Sequence, residues 1–314
     1  MAHMKDKMIK VALAGNPNVG KSVIFNNLTG AHQHVGNWPG KTVDKKEGFH
    51  RFDDKLIYIV DLPGTYSLTA LSVEEMIARD YIIYEKPDVV VDIVDASNLE
   101  RNLYLTMQLM ELGANVIIAL NKIDLAEKAG MEIDPRKLEE ELGVPVIPTI
   151  APKKKGMKEL VEKIIELGEK RSQARGGKML RYEPSVEKFI ERLQGEIVSK
   201  EKLVKLFNPR WVAIKLLEGD EDVIRKLSEI EGGKEIVEKG AKLREKMSME
   251  LGDPEVAIAD ARYAVIKSIV SRVVGELKRL TASDLLDNVL LDKYLGIPIF
   301  FAILWWWFQM AFIG

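Results

Sequence analysis

The chain has 314 residues, enough for two domains and a further segment, and its 46 Lys and Arg nearly balance its 48 Asp and Glu. This balance excludes a general role in binding nucleic acid or another polyanion, so we predict no nucleic-acid partner. Because the chain has no Cys, disulfide frameworks and thiolate chemistry are excluded as well.

A strand over residues 9–14 is predicted to run directly into a glycine-rich motif, which precedes a helix over 20–28. The spacing G-x-x-x-x-G-K-S in this setting indicates a phosphate-binding loop, although an incidental turn remains the alternative for the motif alone. Lys21 is expected to reach the β- and γ-phosphates, and Ser22 to ligate Mg²⁺. The residues assigned to nucleotide binding here are Gly15, Asn16, Pro17, Asn18, Val19, Gly20, Lys21, Ser22 and Val23.

The next two predicted strands, residues 43–52 and 56–60, are separated by a short polar turn and are therefore expected to be antiparallel. They lead into a D-L-P-G motif. Its carboxylate, at a strand end, can hold Mg²⁺ through water, and its glycine N–H can donate to the γ-phosphate. The residues assigned to the site here are Asp61, Leu62, Pro63 and Gly64.

Buried strands over 88–95 and 115–120 alternate with helices over 72–84 and 99–112, and the second strand is followed by N-K-I-D. Asp124 can accept hydrogen bonds from the N1–H and the 2-amino group of guanine. Adenine lacks that amino group and has an acceptor at N1, so the carboxylate would remain unpaired. Asn121, Lys122 and Asp124 therefore predict GTP or GDP as the ligand.

A last strand over 144–149, with helices over 135–142 and 157–170, completes an alternating β/α pattern. The pattern predicts an α/β fold, a P-loop GTPase domain over residues 5–172. Its sheet is expected to be mostly parallel and six-stranded, with helices on both faces. Residues 170–177 are polar and glycine-ended, which indicates a linker.

Beyond residue 178 the pattern is helical, which predicts an all-α domain over residues 173–291. The predicted helices cover 184–199, 210–217, 223–230, 234–251 and 254–280. In the last helix, apolar residues recur at spacings of three and four and predict a continuous seam. We expect the seam to pack within the helical domain, with an intermolecular coiled coil as the alternative. Its members are Val256, Ala259, Tyr263, Ile266, Val270, Val273, Leu277 and Leu280.

The end of the chain is apolar, with no charged residue from 294 to 314. A membrane-spanning helix needs about 20 such residues, so residues 292–314 predict the start of a first transmembrane helix. Lys278, Arg279 and Lys293 precede it and place the N-terminal side in the cytoplasm. We therefore expect a cell-membrane protein whose described motifs face the cytoplasm.

Several segments resemble the N-terminal region of the ferrous iron transport protein B (FeoB) family. The matching strings are N-P-N-V-G-K-S at 16–22, V-G-N-W-P-G-K-T-V at 35–43, D-L-P-G-T-Y-S-L at 61–68, N-P-R-W at 208–211, A-D-A-R-Y at 259–263 and L-G-I-P-I-F at 295–300. The resemblance extends over essentially the whole chain after its first few residues. It implies a GTP-hydrolysing regulatory domain that couples the nucleotide state of two switch segments, residues 36–42 (the first) and 65–71 (the second), to Fe(II) uptake. Implied partners are the rest of the transporter's membrane domain, small cytosolic accessory proteins and further copies of the chain.

The resemblance also implies roles for particular residues. Thr42, preceded by Gly40 and Lys41, would join Ser22 and Asp61 on Mg²⁺. Asn18, with backbone carbonyls near Gly36 and Trp38, would hold K⁺ beside the phosphates. Thr65 stands where Ras-like enzymes carry a water-orienting Gln, so hydrolysis is expected to be slow. The residues with an implied catalytic role are Lys21, Thr42, Gly64 and Asn18.

One pair departs from the family pattern, since Ile150 and Ala151 align with the usual Ser-Ala of the last guanine-contacting motif. The Ala151 N–H can still meet the base oxygen, but the serine hydroxyl is absent, so weaker nucleotide binding or faster release is expected. Three histidines, His32, His34 and His50, invite an iron-binding interpretation, which lacks support from nearby Cys or clustered carboxylates.

Two other functions remain open. A nucleotide-sensing domain with little turnover would share every motif, and Thr65 is compatible with it. A soluble GTPase of ribosome or tRNA metabolism would share the nucleotide motifs, but the apolar end of the chain and the lack of a basic face argue against it.

Overall fold

A computed structural model describes residues 8–30, 33–69, 71–170, 177–276, 298, 300 and 305–310. The chain divides after Gly275 into two units, which are considered separately. The first unit contains the predicted sheet, the helices around it and the later helical segment. The second unit contains the apolar C-terminal segment.

Strands form where short runs of β-branched and other apolar residues end in turns. The described strands are β1 (Ile9–Gly15), β2 (Gln33–Asn37), β3 (Asp44–Phe52), β4 (Lys55–Asp61), β5 (Val89–Asp95), β6 (Val116–Asn121), β7 (Met131–Ile133), β8 (Val146–Pro148) and β9 (Val274–Glu276). Seven of them form one sheet in the order β2-β3-β4-β1-β5-β6-β8, and β7 pairs with β9. The pairs from β4 to β8 are parallel, whereas β2–β3 and β3–β4 are antiparallel.

The main sheet has seven strands, whereas six were predicted. The strand that was missed is the edge strand β2. That strand pairs along β3, from Gln33 opposite Gly48 to Asn37 opposite Asp44. Its sequence Q-H-V-G-N has no apolar alternation, and Val35 is exposed. Backbone hydrogen bonding to the neighbouring strand, rather than side-chain burial, therefore places these residues in the sheet.

Helices cover both faces of this sheet, as predicted. The described ones in this part are α1 (Lys21–Thr29), α2 (Val73–Asp80), α3 (Leu99–Glu111), α4 (Ile123–Lys128), α5 (Pro135–Leu142) and α6 (Met157–Glu169). Alternate residues of β1 enter different cores. Val11 and Leu13 pack with α1 and α6, whereas Ala12 and Ala14 belong to the core that contains α2, α3 and α5.

Helices joined by short turns make up the later segment from residue 184 to residue 273, as predicted. Its helices are α7 (Pro184–Val198), α8 (Glu201–Leu206), α9 (Pro209–Glu218), α10 (Glu221–Ser228), α11 (Gly233–Leu251) and α12 (Pro254–Val273). The helix predicted over 254–280 ends at Val273, and residues 274–276 instead form β9, which pairs with β7. Asn208, Asp220 and Asp253 cap α9, α10 and α12 by accepting first-turn N–H groups, which sets where these helices begin. Helix α8 has six residues, too few to give a periodic signal, and was not predicted.

The seam predicted on α12 packs within the first unit, but its residues were partly wrong. Val256 and Tyr263 are 56% and 37% exposed. Ile266 and Val273 are buried as expected, whereas Leu277 and Leu280 lie outside the described residues. The helix instead buries Pro254, Ile258, Ala261, Arg262, Ile266, Ile269 and Val273. A search for apolar residues cannot find this stripe because it contains an arginine.

Arg262 lies in a buried group of charges that joins α12 to α3 and α9. Its guanidinium donates to both oxygens of Glu111, at 2.8 and 2.9 Å, and lies 2.6 Å from an oxygen of Glu218. Lys215 also donates to Glu218, at 2.7 Å. Although burial favours the neutral acid, Arg262 and Lys215 hold the pKa of Glu218 below its usual value. The helical segment is therefore fixed to the sheet-containing part by paired charges as well as by apolar packing.

In the second unit, residues 305–310 are helical, and Trp305, Trp306 and Trp307 are exposed. The remainder of the predicted transmembrane segment falls on residues 292–297, 299, 301–304 and 311–314, outside the described part, as do Lys278, Arg279 and Lys293. Among the residues that are described, no helix has the length and apolar character needed to cross a membrane.

Candidate nucleotide site

The predicted site residues converge at one edge of the main sheet. Parallel strands share the direction of their carboxyl ends, and polar residues follow or end these strands at that edge. Gly15 ends β1, Asp61 ends β4, Asp95 ends β5 and Asn121 ends β6. Segments far apart in sequence thus meet where open α/β sheets bind ligands.

The phosphate-loop motif adopts a backbone that requires glycine at two places. Gly15 and Gly20 have φ values of +152° and +97°. A Cβ on Gly15 would lie 2.7 Å from the carbonyl oxygen of Ile93, and one on Gly20 would lie 2.5 Å from Nδ2 of Asn121. The loop is therefore packed against β5 and against the N-K-I-D segment, and larger residues at either glycine would disrupt it.

The remaining loop residues lie around the start of α1. Pro17 and Asn18 are exposed, Val19 is buried and Val23 is 39% exposed. Asn18 has φ +67°, a conformation that Asn tolerates better than most residues. Both polar side-chain atoms of Asn16 are buried and have no hydrogen-bond partner within the described part of the chain. A buried amide of this kind suits a loop that binds a polar ligand.

Lys21, Ser22 and Asp61 are the residues predicted to contact the phosphates and Mg²⁺. The Lys21 ammonium forms an ion pair with Asp61, which brings the β4 carboxylate to the phosphate loop. Ser22 lies next to Lys21 in the first turn of α1 and is exposed. A hydroxyl and a carboxylate are oxygen ligands that fit Mg²⁺. A bound Mg²⁺ would neutralise charge on the β- and γ-phosphates.

The D-L-P-G segment lies directly against the phosphate loop. The N–H of Leu62 donates to the carbonyl of Leu13 at 3.0 Å, and the N–H of Thr65 donates to that of Gly15 at 3.3 Å. A Cβ on Gly64 would be 3.4 Å from the backbone of Pro17. Thr65 is buried, so it presents no side chain to the surface beside the loop.

The N-K-I-D segment is bonded to the phosphate loop. Nδ2 of Asn121 donates to the carbonyl of Val19 at 2.8 Å. Nζ of Lys122 donates to the carbonyl of Asn18 and to Oδ2 of Asp95, both at 2.7 Å. Asp124 lies in the first turn of α4 and is partly exposed, which leaves its carboxylate accessible to a base.

The turn that contains Ile150 and Ala151 lies beside Asn121. The Ala151 N–H, predicted to meet the base oxygen, donates in this structure to Oδ1 of Asn121 at 3.0 Å. Thr149 donates to the same oxygen at 3.3 Å. Ile150 is buried, and no serine hydroxyl is available at its position. The base turn is consequently tied to the N-K-I-D segment through the N–H of Ala151 and the hydroxyl of the preceding Thr149.

The first switch segment lies in β2 and the turn to β3. Since Lys46 pairs with Asp61, the turn before Asp44 projects from the same edge as the phosphate loop. Gly40, Lys41 and Thr42 lie in this turn and are exposed, whereas Gly36 pairs with Lys45 in the sheet. The described hydrogen bonds do not join Thr42 to the phosphate loop.

Trp38 anchors this segment to the body of the protein. It is buried, and its ring lies edge-on to Tyr81 with centroids 5.6 Å apart. Burial raises the pKa of Tyr81 to about 12. The carbonyl of Trp38, predicted to help hold K⁺, accepts from the N–H of Lys41 at 3.0 Å. The segment is thus fixed at Trp38 and exposed at Thr42.

Four residues at this edge were not predicted from the sequence. Asp95 holds Lys122, Lys153 lies 3.4 Å from Asp124, Thr149 bonds Asn121, and Asn27 of α1 bonds the base turn. Asp95 could have been found, because it ends a buried strand as Asp61 does. The others have no sequence signal, since their partners are set by packing.

The iron-binding interpretation of the histidines gains no support. His50 bonds the carbonyl of Leu28 through Nδ1 at 2.6 Å. His34 is exposed, and His32 lies outside the described residues. Across the described ranges, no group of three or more His, Asp or Glu side chains could hold a metal ion.

Taken together, a parallel α/β sheet with a G-x-x-x-x-G-K-S loop, a D-L-P-G segment and an N-K-I-D segment along one edge defines the class of P-loop GTPases. Two family models match the chain. These are ferrous iron transport protein B over residues 9–164 and the FeoB cytosolic helical domain over residues 182–275. The chain belongs to the FeoB family and comprises its N-terminal G domain and helical domain.

Individual relatives agree with this assignment. The Fe(2+) transporter FeoB of Methanocaldococcus jannaschii is 46% identical over 98% of this chain and 45% of its own length. An Fe(2+) transport protein A/FeoB fusion protein of Porphyromonas gingivalis is 39% identical over 98% of this chain and 37% of its own length. The chain therefore spans less than half of these curated relatives.

Solved structures extend the similarity to three dimensions. A GDP-bound mutant of the S. thermophilus FeoB G-domain has a TM-score of 0.77 and 37% identity, covering 85% of this chain and all of that one. The cytosolic domain of the T. maritima FeoB iron transporter in a GDP form has a TM-score of 0.73, with the same identity and coverage.

Proposed function

We propose that this chain is the GTP-binding, slowly hydrolysing regulatory part of a membrane ferrous iron transporter. The observation that carries the proposal is the convergence of the phosphate loop, Asp61 and Asp124 at one sheet edge, in a chain similar to Fe(2+) transporters. We also propose the domain limits 5–172, 173–291 and 292–314 and a cytoplasmic position for the first two.

Slow hydrolysis follows from the segment after Gly64. Thr65 is buried and bonded through its N–H to Gly15, so it cannot orient an attacking water with its side chain. The water must instead be held by backbone groups or by another protein. A nucleotide sensor without turnover is the second candidate, favoured by the same observation, and a measured turnover above background would exclude it.

GTP hydrolysis is expected to be about tenfold or more faster in KCl than in NaCl, because a monovalent cation between the β- and γ-phosphates stabilises developing charge. Asn18 is the proposed side-chain ligand of K⁺, and it is an exposed residue of the phosphate loop. In Asn18→Ala the K⁺ stimulation should be lost, while turnover in NaCl stays near that of the wild type. Phosphate release under both salts tests this. Equal wild-type rates in the two salts would remove K⁺ from the proposal.

Ile150→Ser is expected to slow GDP release by about two- to tenfold, since an added hydroxyl can hydrogen-bond in the base turn. Displacement of a fluorescent GDP analogue by excess GDP measures the rate. Ile150→Ala is the control, because it removes the same buried side chain without adding a hydroxyl. Equal release from the Ser and Ala variants would show that a hydroxyl at this position has no effect on the nucleotide.

The nucleotide signal is proposed to reach the helical domain through α2. Glu75 of α2 accepts hydrogen bonds from Ser67 at 2.8 Å, Thr69 at 3.1 Å and the N–H of Leu71 at 3.0 Å, so it holds the second switch segment. Near the other end of α2, Arg79 is fully buried.

Three ion pairs, formed by two residues of α2, join this end of the helix to the start of α10 and to the helix itself. Arg79 donates to Asp220 at 2.9 Å and also pairs with Asp222. Asp80 accepts from Lys226 at 2.8 Å. A displacement of the switch segment that moves α2 would therefore move α10.

Arg79→Met is expected to remove most of the difference in amide hydrogen exchange of α10 between the GTP-analogue and GDP forms, with the Asp80–Lys226 pair retaining the rest. The reason is that Asp220 and Asp222 lose their link to α2. Arg225→Met is the matched control, because Arg225 pairs with Asp222 within α10 and leaves the link intact. Lys226→Met removes the pair with Asp80 and keeps Arg79, so it should reduce the difference by a smaller amount. An unchanged difference in Arg79→Met would exclude this route.

We also propose that this chain contacts a membrane and further partners. The C-terminal segment is proposed to enter the membrane and to join the remaining transporter domain. Small cytosolic accessory proteins and homo-oligomers are proposed partners, and one relative is a fusion with Fe(2+) transport protein A. Partitioning of the chain into liposomes, compared with a chain ending at residue 291, tests the membrane contact.

A further inference from the structure

The base turn, residues 150–153, is held from two sides through the backbone of one buried residue. The N–H of Ala151 donates to Asn121, and its carbonyl accepts from Nδ2 of Asn27 at 2.7 Å. Ala151 is fully buried, so water cannot replace either bond. Ile150 contributes no polar side-chain group.

Asn27 connects this turn to the phosphate-binding helix. It lies on α1, which begins at Lys21 and carries Ser22. Its amide also lies 3.8 Å from the sulfur of Met157, the first residue of α6, so Asn27 contacts that helix as well.

We propose that Asn27 is a positioning residue for the guanine base. It holds the base turn at a fixed distance from the phosphate loop, so that base and phosphates bind as one unit. The inference depends on the proposed guanine site of residues 121–124 and 150–151, and it assigns that site a support outside the recognised motifs. Asn27 itself touches neither the base nor the phosphates in this role.

The Ala151 carbonyl also accepts the N–H of Lys154 at 3.1 Å, a bond within the turn itself. Loss of the Asn27 donor would therefore remove the bond that ties the turn to α1 and would loosen the turn. The loss of one buried hydrogen bond corresponds to a change in affinity of up to about tenfold. The base does not take part in the chemistry. The loss of affinity should therefore appear as faster nucleotide release and a higher KM for GTP, whereas kcat should change less than about twofold.

The test compares Asn27→Ala and Asn27→Asp with Asn115→Ala in the full chain. The Asp variant keeps the size of the side chain and lacks the donor. Asn115 makes the same kind of bond, from Nδ2 to the carbonyl of Asp88 at 3.0 Å, next to the amino end of β6 and away from the site. Dissociation of a fluorescent GDP analogue, KM, kcat and the thermal unfolding midpoint are measured for each variant.

Both Asn27 variants are expected to release GDP about tenfold faster, with KM raised and kcat kept. Asn115→Ala should lower the unfolding midpoint by about as much as Asn27→Ala does. It should nevertheless release GDP at the wild-type rate. The inference is overturned if the Asn27 variants release GDP as the wild type does, or if Asn115→Ala accelerates release equally. A wild-type chain that binds no GDP would instead overturn the proposed function.

Discussion

Asp124→Asn is expected to lower the affinity for GDP by about 100-fold or more and to raise the affinity for xanthosine diphosphate. The carboxylate is proposed to accept from the guanine N1–H and 2-amino group, and an amide there would face these donors with one donor of its own. Xanthine has a carbonyl in place of the 2-amino group, which the amide can satisfy. Equilibrium titration with both nucleotides measures the exchange of specificity.

Lys153→Ala provides the control for this substitution. Lys153 is exposed, and its ammonium lies 3.4 Å from Asp124, so removing it alters the surroundings of the carboxylate but not its acceptors. GDP affinity should change by no more than a few-fold, and preference for guanine should persist. If Asp124→Asn binds GDP like the wild type, the assignment of Asp124 to the base is incorrect.

Arg262→Met is expected to lower the free energy of unfolding by about 3–5 kcal/mol, because it leaves the buried Glu111 without its cation and Glu218 with Lys215 alone. Glu111 and Glu218 are 7% and 8% exposed, so water cannot replace the guanidinium. The change also uncouples α12 from α3 and α9. Urea unfolding followed by circular dichroism gives the midpoint and the slope from which this energy is obtained.

The same helix offers the control for this prediction. Arg272 forms a two-pronged pair with Glu141, at 2.8 and 2.7 Å, but at the surface. Exposed pairs are screened by water, so Arg272→Met should leave the unfolding midpoint almost unchanged. Similar losses of unfolding free energy in the two variants would mean that burial does not determine how much the Arg262 ion pairs contribute to stability.

Much of the G domain could be predicted because its signals are local. Each strand predicted from a buried apolar run is present, and the motifs that end β1, β4 and β6 meet at one edge, as parallel pairing requires. Strand β2 was missed because backbone hydrogen bonds, and no apolar side-chain pattern, place it in the sheet. The stripe on α12 was misplaced because Arg262 is buried among acids supplied by other helices.

The same distinction applies to the nucleotide site. The sequence by itself determined the phosphate-loop motif and the candidates for the metal-binding carboxylate, Asp61, and the base-selecting carboxylate, Asp124, since each is a residue type required by ligand chemistry at a fixed spacing. Only the tertiary structure decided which groups hold them. Asn27, Asp95 and Arg79 act on partners from 27 to 143 residues away in sequence, and no local pattern encodes such pairs. Those contacts arise because packing of the sheet and helices brings distant side chains together, and that packing is a property of the whole chain.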